Sequence, residues 1–326
     1  MALSAEPFTP AWLLGHRHAQ TIWPALFRQG GPRIVLSEVW PALDGESVDV
    51  ELLPDRPGQP GVVVLHGLEG SSRARYVRGL LAAIEGRGWN GAAVSFRSCG
   101  PTPVAGQRLY HSGDTRDLPV VIERLRARWP GVPLGAVGFS MGGNILLKWL
   151  GETGAGAPLE AGVAISVPFD LGACAAALDG PGLFPALYRK RFLRTLRRKA
   201  LAVSARFPGL LDPAAIRACR SFARYDDIVT APLFGFASAT DYWARCSSAG
   251  FLGEIRRPVR LVSAEDDPIV PGATIPRAAI AANPALDGRL LARGGHVGFV
   301  TGGWRRRYAV DTLALEFLAA RFAGPR

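Results

Sequence analysis

Lysine is almost missing from this chain. Lys148, Lys190 and Lys199 are the three lysines among 38 basic residues in 326, set against 27 acidic ones, for a formal net charge of +11. An excess of that size can mark a binder of nucleic acid or anionic lipid. Here it is carried by arginine, beside abundant alanine, glycine and proline, which is the bias of a GC-rich genome. No nucleic-acid recognition motif accompanies it, so nucleic acid is not an expected partner. Cysteine is scarce too. Cys99, Cys174, Cys219 and Cys246 show no C-x-x-C spacing. That excludes a disulfide framework, a zinc knuckle and a thioredoxin-type site, and free thiols suit a reducing compartment. No stretch approaches the ~18 consecutive apolar residues of a membrane span. Near the start, the only apolar run covers residues 11–14, too short for a leader, so a cytoplasmic protein is expected. G-x-G-x-x-G and Walker A patterns are also missing, which sets aside nicotinamide and nucleotide enzymes.

What is present suits a packed domain: 48% of residues are hydrophobic and 20% charged. From residue 61 an alternation appears. Gly61–Leu65, residues 91–96, Leu134–Phe139, residues 161–167, 259–263 and 289–291 read as strands. Helical patterns lie between and after them, over residues 74–86, from Asp114 to Pro130, over 142–150, near 274–282 and over 305–321. This order predicts an α/β fold, a mostly parallel central sheet with helices on both faces. Ahead of it, residues 33–40 and Ser47–Leu52 flank an Asp44-Gly45 turn, the pattern of an antiparallel hairpin at a sheet edge. The alternation breaks over about 170–252, a mostly helical stretch read as an insertion into one domain spanning 1–326.

The chemistry centres on Gly138-Phe139-Ser140-Met141-Gly142, a G-x-S-x-G between a strand and a helix. A sharp strand-to-helix turn lifts the serine hydroxyl above the sheet, and small residues beside it avoid the neighbouring strand and helix. The helix N-terminus puts positive potential where an oxyanion would form. A serine nucleophile needs a base, and in this chain order the acid and then the histidine follow it. Of five histidines only His296 lies after Ser140, in a glycine-rich loop behind the last predicted strand. The acid should follow a strand between them. Glu265-Asp266-Asp267-Pro268 does so; Asp267 is chosen because it directly precedes the bend, with Asp266 as the alternative. Leu65-His66-Gly67-Leu68-Glu69-Gly70 follows the first parallel strand and offers the Leu68 N–H, paired with that of Met141, as an oxyanion hole. His66 reads as a structural residue of that loop, and His16 and His18 lack the further ligands that a metal would need.

These residues resemble the α/β-hydrolase superfamily, and within it the YheT-like esterase branch, over residues 8–320. The narrowing motifs are His16-Arg17-His18-Ala19-Gln20-Thr21, Phe96-Arg97-Ser98-Cys99-Gly100, Tyr110-His111-Ser112-Gly113 and Tyr225-Asp226-Asp227. The resemblance implies cofactor-free hydrolysis of carboxylic esters through an acyl-enzyme on Ser140, Asp267 and His296, with a short- to medium-chain or lipid-like substrate. It also implies that the insertion caps the site. Phe184, Leu187, Phe192, Phe234, Phe236 and Trp243 could line an acyl pocket, though the cap's own core is the favoured reading. Around Arg189 to Lys199 a basic helix carries Tyr188, Phe192, Leu193 and Leu196 at helical spacing. A solvated face is the simpler reading; peripheral contact with anionic membrane is the sharper one. Two alternatives to hydrolysis stay open: acyl transfer from the same intermediate, and a non-catalytic binding protein on the same fold.

Overall fold

The computed structural model describes residues 4–5, 8–103, 105–303 and 305–324. Nine strands form one sheet: β1 (Ser4–Ala5), β2 (Leu36–Pro41), β3 (Ser47–Leu52), β4 (Gly61–Leu65), β5 (Asn90–Ser95), β6 (Leu134–Phe139), β7 (Ala161–Ile165), β8 (Val259–Ala264) and β9 (Leu286–Leu291). Their spatial order is β1-β9-β8-β7-β6-β4-β5-β3-β2. All neighbours run parallel except β3 on β5 and β2 on β3. Strands β4 to β7 are buried along their whole length, so both of their faces carry apolar or small side chains. The chain leaves β4 for β5 on one side and returns to β6 on the other. That reversal opens a crevice at the carboxyl ends of β4 and β6, where open α/β sheets place their ligands.

Helices cover both faces. On one side α2 (Arg75–Gly86) turns Val77, Leu80, Leu81 and Ile84 to the sheet, beside α12 (Ala309–Phe322) with Val310, Ala314 and Leu318. On the other, α3 (Asp117–Arg128) buries Leu118, Val121, Ile122 and Leu125, next to α4 (Met141–Thr153). Spacings of three and four residues put each set on one helix face. An N-terminal helix, α1 (Arg17–Phe27), packs near α2, and α11 (Arg277–Ala282) joins β8 to β9.

Between β7 and β8 run six helices: α5 (Leu171–Asp179), α6 (Leu183–Arg206), α7 (Pro213–Ala218), α8 (Phe222–Tyr225), α9 (Ala231–Phe234) and α10 (Ala239–Cys246). They close around a core of their own that includes Tyr188, Leu193, Leu196, Ile216 and Phe222.

The structure departs from the sequence reading at element ends. The edge hairpin forms, with Asp44 (φ 60°) and Gly45 (φ 76°) both left-handed in the turn. The helix expected from Asp114 starts at Asp117, because the Asp114 carboxylate instead takes the Arg116 guanidinium at 2.8 Å. The last strand begins at Leu286, three residues before the expected 289. Its polar start hid it: Asp287 is buried between two guanidinium groups, Arg260 on β8 donating to it at 2.6 Å and Arg289 pairing with it at 2.9 Å. The final helix starts at Ala309 instead of 305, since Arg307–Tyr308 pairs antiparallel with Val300–Thr301. No reading anticipated α1, which contains Pro24.

Candidate active site

Ser140 sits at the turn between β6 and α4 with φ 51° and ψ −118°, a conformation that L residues avoid. The neighbourhood holds it there. Its N–H donates to Ile165 O at 2.7 Å, and its carbonyl accepts from Asn144 N–H at 3.0 Å. Two glycines make the turn possible. A side chain on Gly142 would lie 2.5 Å from Leu65 O, and one on Gly67 would lie 3.2 Å from Ser140 Cβ. The β4 loop therefore passes directly against the serine. Met141 is the first residue of α4, so its N–H belongs to the helix's first turn, where amides lack intrahelical acceptors and the dipole favours negative charge.

His296 meets the serine. Its Nε2 lies 2.9 Å from Ser140 Oγ, and its Nδ1 lies 2.8 Å from Asp267 Oδ2. The other Asp267 oxygen accepts the Ile269 and Val270 amides at 2.8 and 2.9 Å. Those bonds fix a carboxylate that is almost wholly out of water. Asp266, the alternative acid, points elsewhere: its Oδ1 accepts the Gly294 and Gly295 amides at 2.9 and 3.0 Å. Adjacent carboxylates thus divide the work, one facing the imidazole and one holding the loop that carries it.

Further supports of the histidine loop come from residues for which the sequence suggested no role. Thr21 Oγ1 on α1 accepts the His296 N–H at 2.9 Å, and Ser166 Oγ accepts that of Val297 at 3.1 Å. The Gln20 amide donates to Leu14 O and Val300 O at 2.8 and 2.9 Å, and its oxygen accepts the Val300 N–H at 2.6 Å. Gln20-Thr21 belongs to the N-terminal motif noted above, which was the only available pointer. Asn144, four residues past the serine, bonds Ser112 O, Cys246 O and the Ser248 N–H, tying α4 to the end of the helical segment. Non-glycine residues with left-handed φ gather here: Glu69, Ser140, Ser166, Val297 and Phe299.

His66 is fully buried and structural in its contacts. Its Nε2 must accept from the Phe96 N–H at 3.0 Å, so Nδ1 carries the proton and donates to Gly67 O at 2.7 Å. Burial pushes its pKa down to about 4, keeping the ring neutral. Tyr76 OH accepts the next amide, Gly67 N–H, at 2.8 Å. His18 stacks on Phe184 at 3.7 Å and lies 2.9 Å from Tyr188 OH, joining α1 to α6. Among the described residues no group of three His, Cys, Asp or Glu side chains could hold a metal ion.

On α6 the helical spacing has a different use from a lipid-facing stripe. Tyr188, Leu193 and Leu196 are buried within the helical segment, and Phe192 packs against them. Phe184, Phe234, Phe236 and Trp243 also pack into that segment, whereas Leu187 is half exposed. Nor is the basic run uniformly solvated. Arg189 donates to Leu178 O at 2.7 Å near the end of α5, Arg197 donates to Arg217 O at 2.7 Å, and Lys199 turns inward to Glu69. Cations there satisfy carbonyls that helix ends leave open.

Residues 60–303 match the family described as the alpha/beta hydrolase fold, and the chain belongs to that family. Within it the chain is YheT-like. It is 35% identical over 308 residues, 92% of this chain and 88% of the other, to an Escherichia coli protein named "Putative esterase YheT". It is 29% identical over 267 residues to the mouse phospholipase ABHD3, covering 82% of this chain and 65% of that one. Among solved structures, the Pyrococcus furiosus esterase Pf2001 superposes with a TM-score of 0.56 at 16% identity, covering 90% of this chain and 97% of that chain, which is a likeness of fold. The protein is an α/β hydrolase with esterase- and lipase-type relatives. No helix among the described residues is long and apolar enough to cross a membrane.

Proposed function

We propose that this protein hydrolyses carboxylic esters through an acyl-enzyme on Ser140. The observation that carries the reading is the unbroken chain Ser140 Oγ–His296–Asp267, with links of 2.9 and 2.8 Å. Ser140 Oγ attacks the acyl carbon and gives its proton to His296 Nε2. The carbonyl oxygen becomes an oxyanion and takes hydrogen bonds from the Leu68 and Met141 amides. Asp267 holds the Nδ1–H and stabilises the imidazolium. The tetrahedral intermediate collapses, and the alcohol departs with the proton from Nε2. Water then gives a proton to Nε2 and attacks the acyl carbon, and collapse returns the proton to Ser140 as the acid leaves.

The helical segment 171–254 acts as the cap in this scheme. A cavity of about 60 Å³ lies between it and the Leu68 loop, lined by Leu68 and Tyr110 below and by Leu196, Phe222, Tyr225 and Asp226 above. The substrate in this reading is a short- to medium-chain or lipid-like ester, and the phospholipase name of one relative supports the lipid-like form. Leu183 (79% exposed) and Leu187 (51%) stand beside exposed Lys190, Arg191 and Arg194. They form the part of α6 that suits contact with an anionic lipid surface. Phosphatidylglycerol vesicles should then retain the protein at low salt and release it at high salt; no retention at low salt would exclude this contact. Four free cysteines, three of them buried, favour a cytoplasmic setting.

The test is hydrolysis of p-nitrophenyl esters from acetyl to dodecanoyl by the wild type beside Ser140→Ala. The expected result is hydrolysis with an optimum below decanoyl, abolished in the variant. A wild type inactive on every ester would overturn the reading.

A further inference from the structure

Beside the Leu68 amide lies a buried charged cluster with no part in the proton transfers. Glu69 follows Leu68 directly and is a non-glycine residue at φ 54°. Its side chain is 6% exposed. Tyr110 OH accepts the Glu69 N–H at 3.0 Å and donates to Glu69 Oε1 at 2.6 Å. Lys199 on α6 donates to that same oxygen at 2.6 Å across 130 residues of chain. The lysine is itself 14% exposed, with its Nζ 3.3 Å from Cys99 Sγ and 5.0 Å from the centre of the Tyr110 ring. On the other side of Leu68, the Gly67 N–H donates to Tyr76 OH. The amides flanking the Leu68 N–H are thus each held by a tyrosine hydroxyl, and one clamp is closed by a lysine from the cap.

The cavity lined by Leu68, Tyr110 and Leu196 shows that apolar packing between α6 and this loop is incomplete. Leu68 packs against the cap core, and the polar contacts complete the join. We propose that Lys199 is a positioning residue: through Glu69 it locks the Leu68 amide in place, so that the oxyanion hole is complete only while α6 is seated. This rests on the assignment of Leu68 as an oxyanion donor. Without the ammonium, a carboxylate that is nearly buried loses its only cation in the cluster and turns toward water. The left-handed backbone at Glu69 is then held by the Tyr110 hydroxyl alone, and the neighbouring amide drifts. Transition-state contacts are sensitive to drift on the ångström scale.

The test compares wild type with Lys199→Met, Lys199→Arg and Tyr110→Phe on a p-nitrophenyl ester and on its thionoester, in which sulfur replaces the carbonyl oxygen. A formed oxyanion hole prefers oxygen. For Lys199→Met the expected result is a fall in kcat of about 10- to 100-fold with KM within about threefold. The ester-to-thionoester ratio should fall with it, and Lys199→Arg should recover part of both. Tyr110→Phe keeps the ring and removes the hydroxyl, so it carries the same test if Lys199→Met does not fold. A folded variant with wild-type kcat and ratio, or one slowed with the ratio unchanged, would overturn the proposal. An active wild type with indifferent variants sinks the latch alone; an inactive wild type sinks the ester-hydrolase reading beneath it.

Discussion

The two loops that meet at Ser140 are built in opposite ways. The turn after β6 is backbone packed on backbone: Gly142 passes the carbonyls of Leu65 and His66 with no room for a side chain. The loop after β4 is held by side chains from elsewhere and by its own His66: Tyr76 fixes an amide, Tyr110 an amide and a carboxylate, Lys199 that same carboxylate and His66 a carbonyl. A turn of the first kind tolerates no added atom. One of the second kind can be loosened one bond at a time. Nucleophile placement is therefore expected to be all-or-none, while oxyanion placement is graded.

The largest expected effects come from the serine end. Ser140→Ala and His296→Ala should each lower kcat by ~10⁴-fold or more, and the double variant should be little worse than either, because groups acting as one unit are not additive. Additive losses in ester kinetics would show that the two do not act together. Next comes the pair of neighbouring acids. Asp267→Asn should cost about 10⁴-fold in kcat, as the amide favours the wrong imidazole tautomer. Asp266→Asn should cost about tenfold or less and appear mainly in a thermal melt, through weakened bonds to Gly294 and Gly295. Equal kinetic losses would erase the division of labour between them.

Stability separates the two loops further. Gly142→Ala places a methyl 2.5 Å from Leu65 O and 2.6 Å from His66 O. Chemical denaturation should report a loss of about 3 kcal/mol, the upper range for overpacking. Tyr76→Phe removes only the acceptor for one amide and should cost about 1–2 kcal/mol. A Gly142→Ala protein as stable as wild type would contradict the packed-backbone account of the elbow.

An effect of similar size is set by pH. His66 is held down to about 4 in the folded protein, while an unfolded histidine titrates near 6.5. Its neutral ring adds stability fully above the unfolded value, and that contribution is lost as pH falls toward the folded one. The loss at pH 5 is about 2 kcal/mol from this residue. Nitrogen-detected NMR of the ring should show Nδ1–H and neutral imidazole down to about pH 5. A His66 ring that charges near 6.5 would mean that the loop is open to water.

What could be read beforehand follows the same division. Ser140, Asp267 and His296 were legible because each lies in a short run whose residue types dictate a turn at a strand end. Alternating apolar runs likewise disclosed β4 to β8. Lys199 was hidden, since a lysine within a basic run reads as solvated, and nothing local says that it faces a glutamate 130 residues earlier. The same holds for Gln20, whose partner Val300 is 280 residues away. Helix α1 was missed because it contains Pro24 and has only a partly apolar face. Buried Asp287 broke the apolar pattern of β9, and its pairing with Arg260 and Arg289 explains it.

The most direct test of the central claim is the site of covalent labelling by a fluorophosphonate, which mimics the tetrahedral intermediate. The account predicts one adduct per chain, on Ser140, with labelling slowed strongly in His296→Ala. Ser166 is the built-in control, because it too stands at a strand end with φ 51° yet faces the Val297 amide and not an imidazole. A folded protein that takes no label, or takes it on Ser166, would contradict the account.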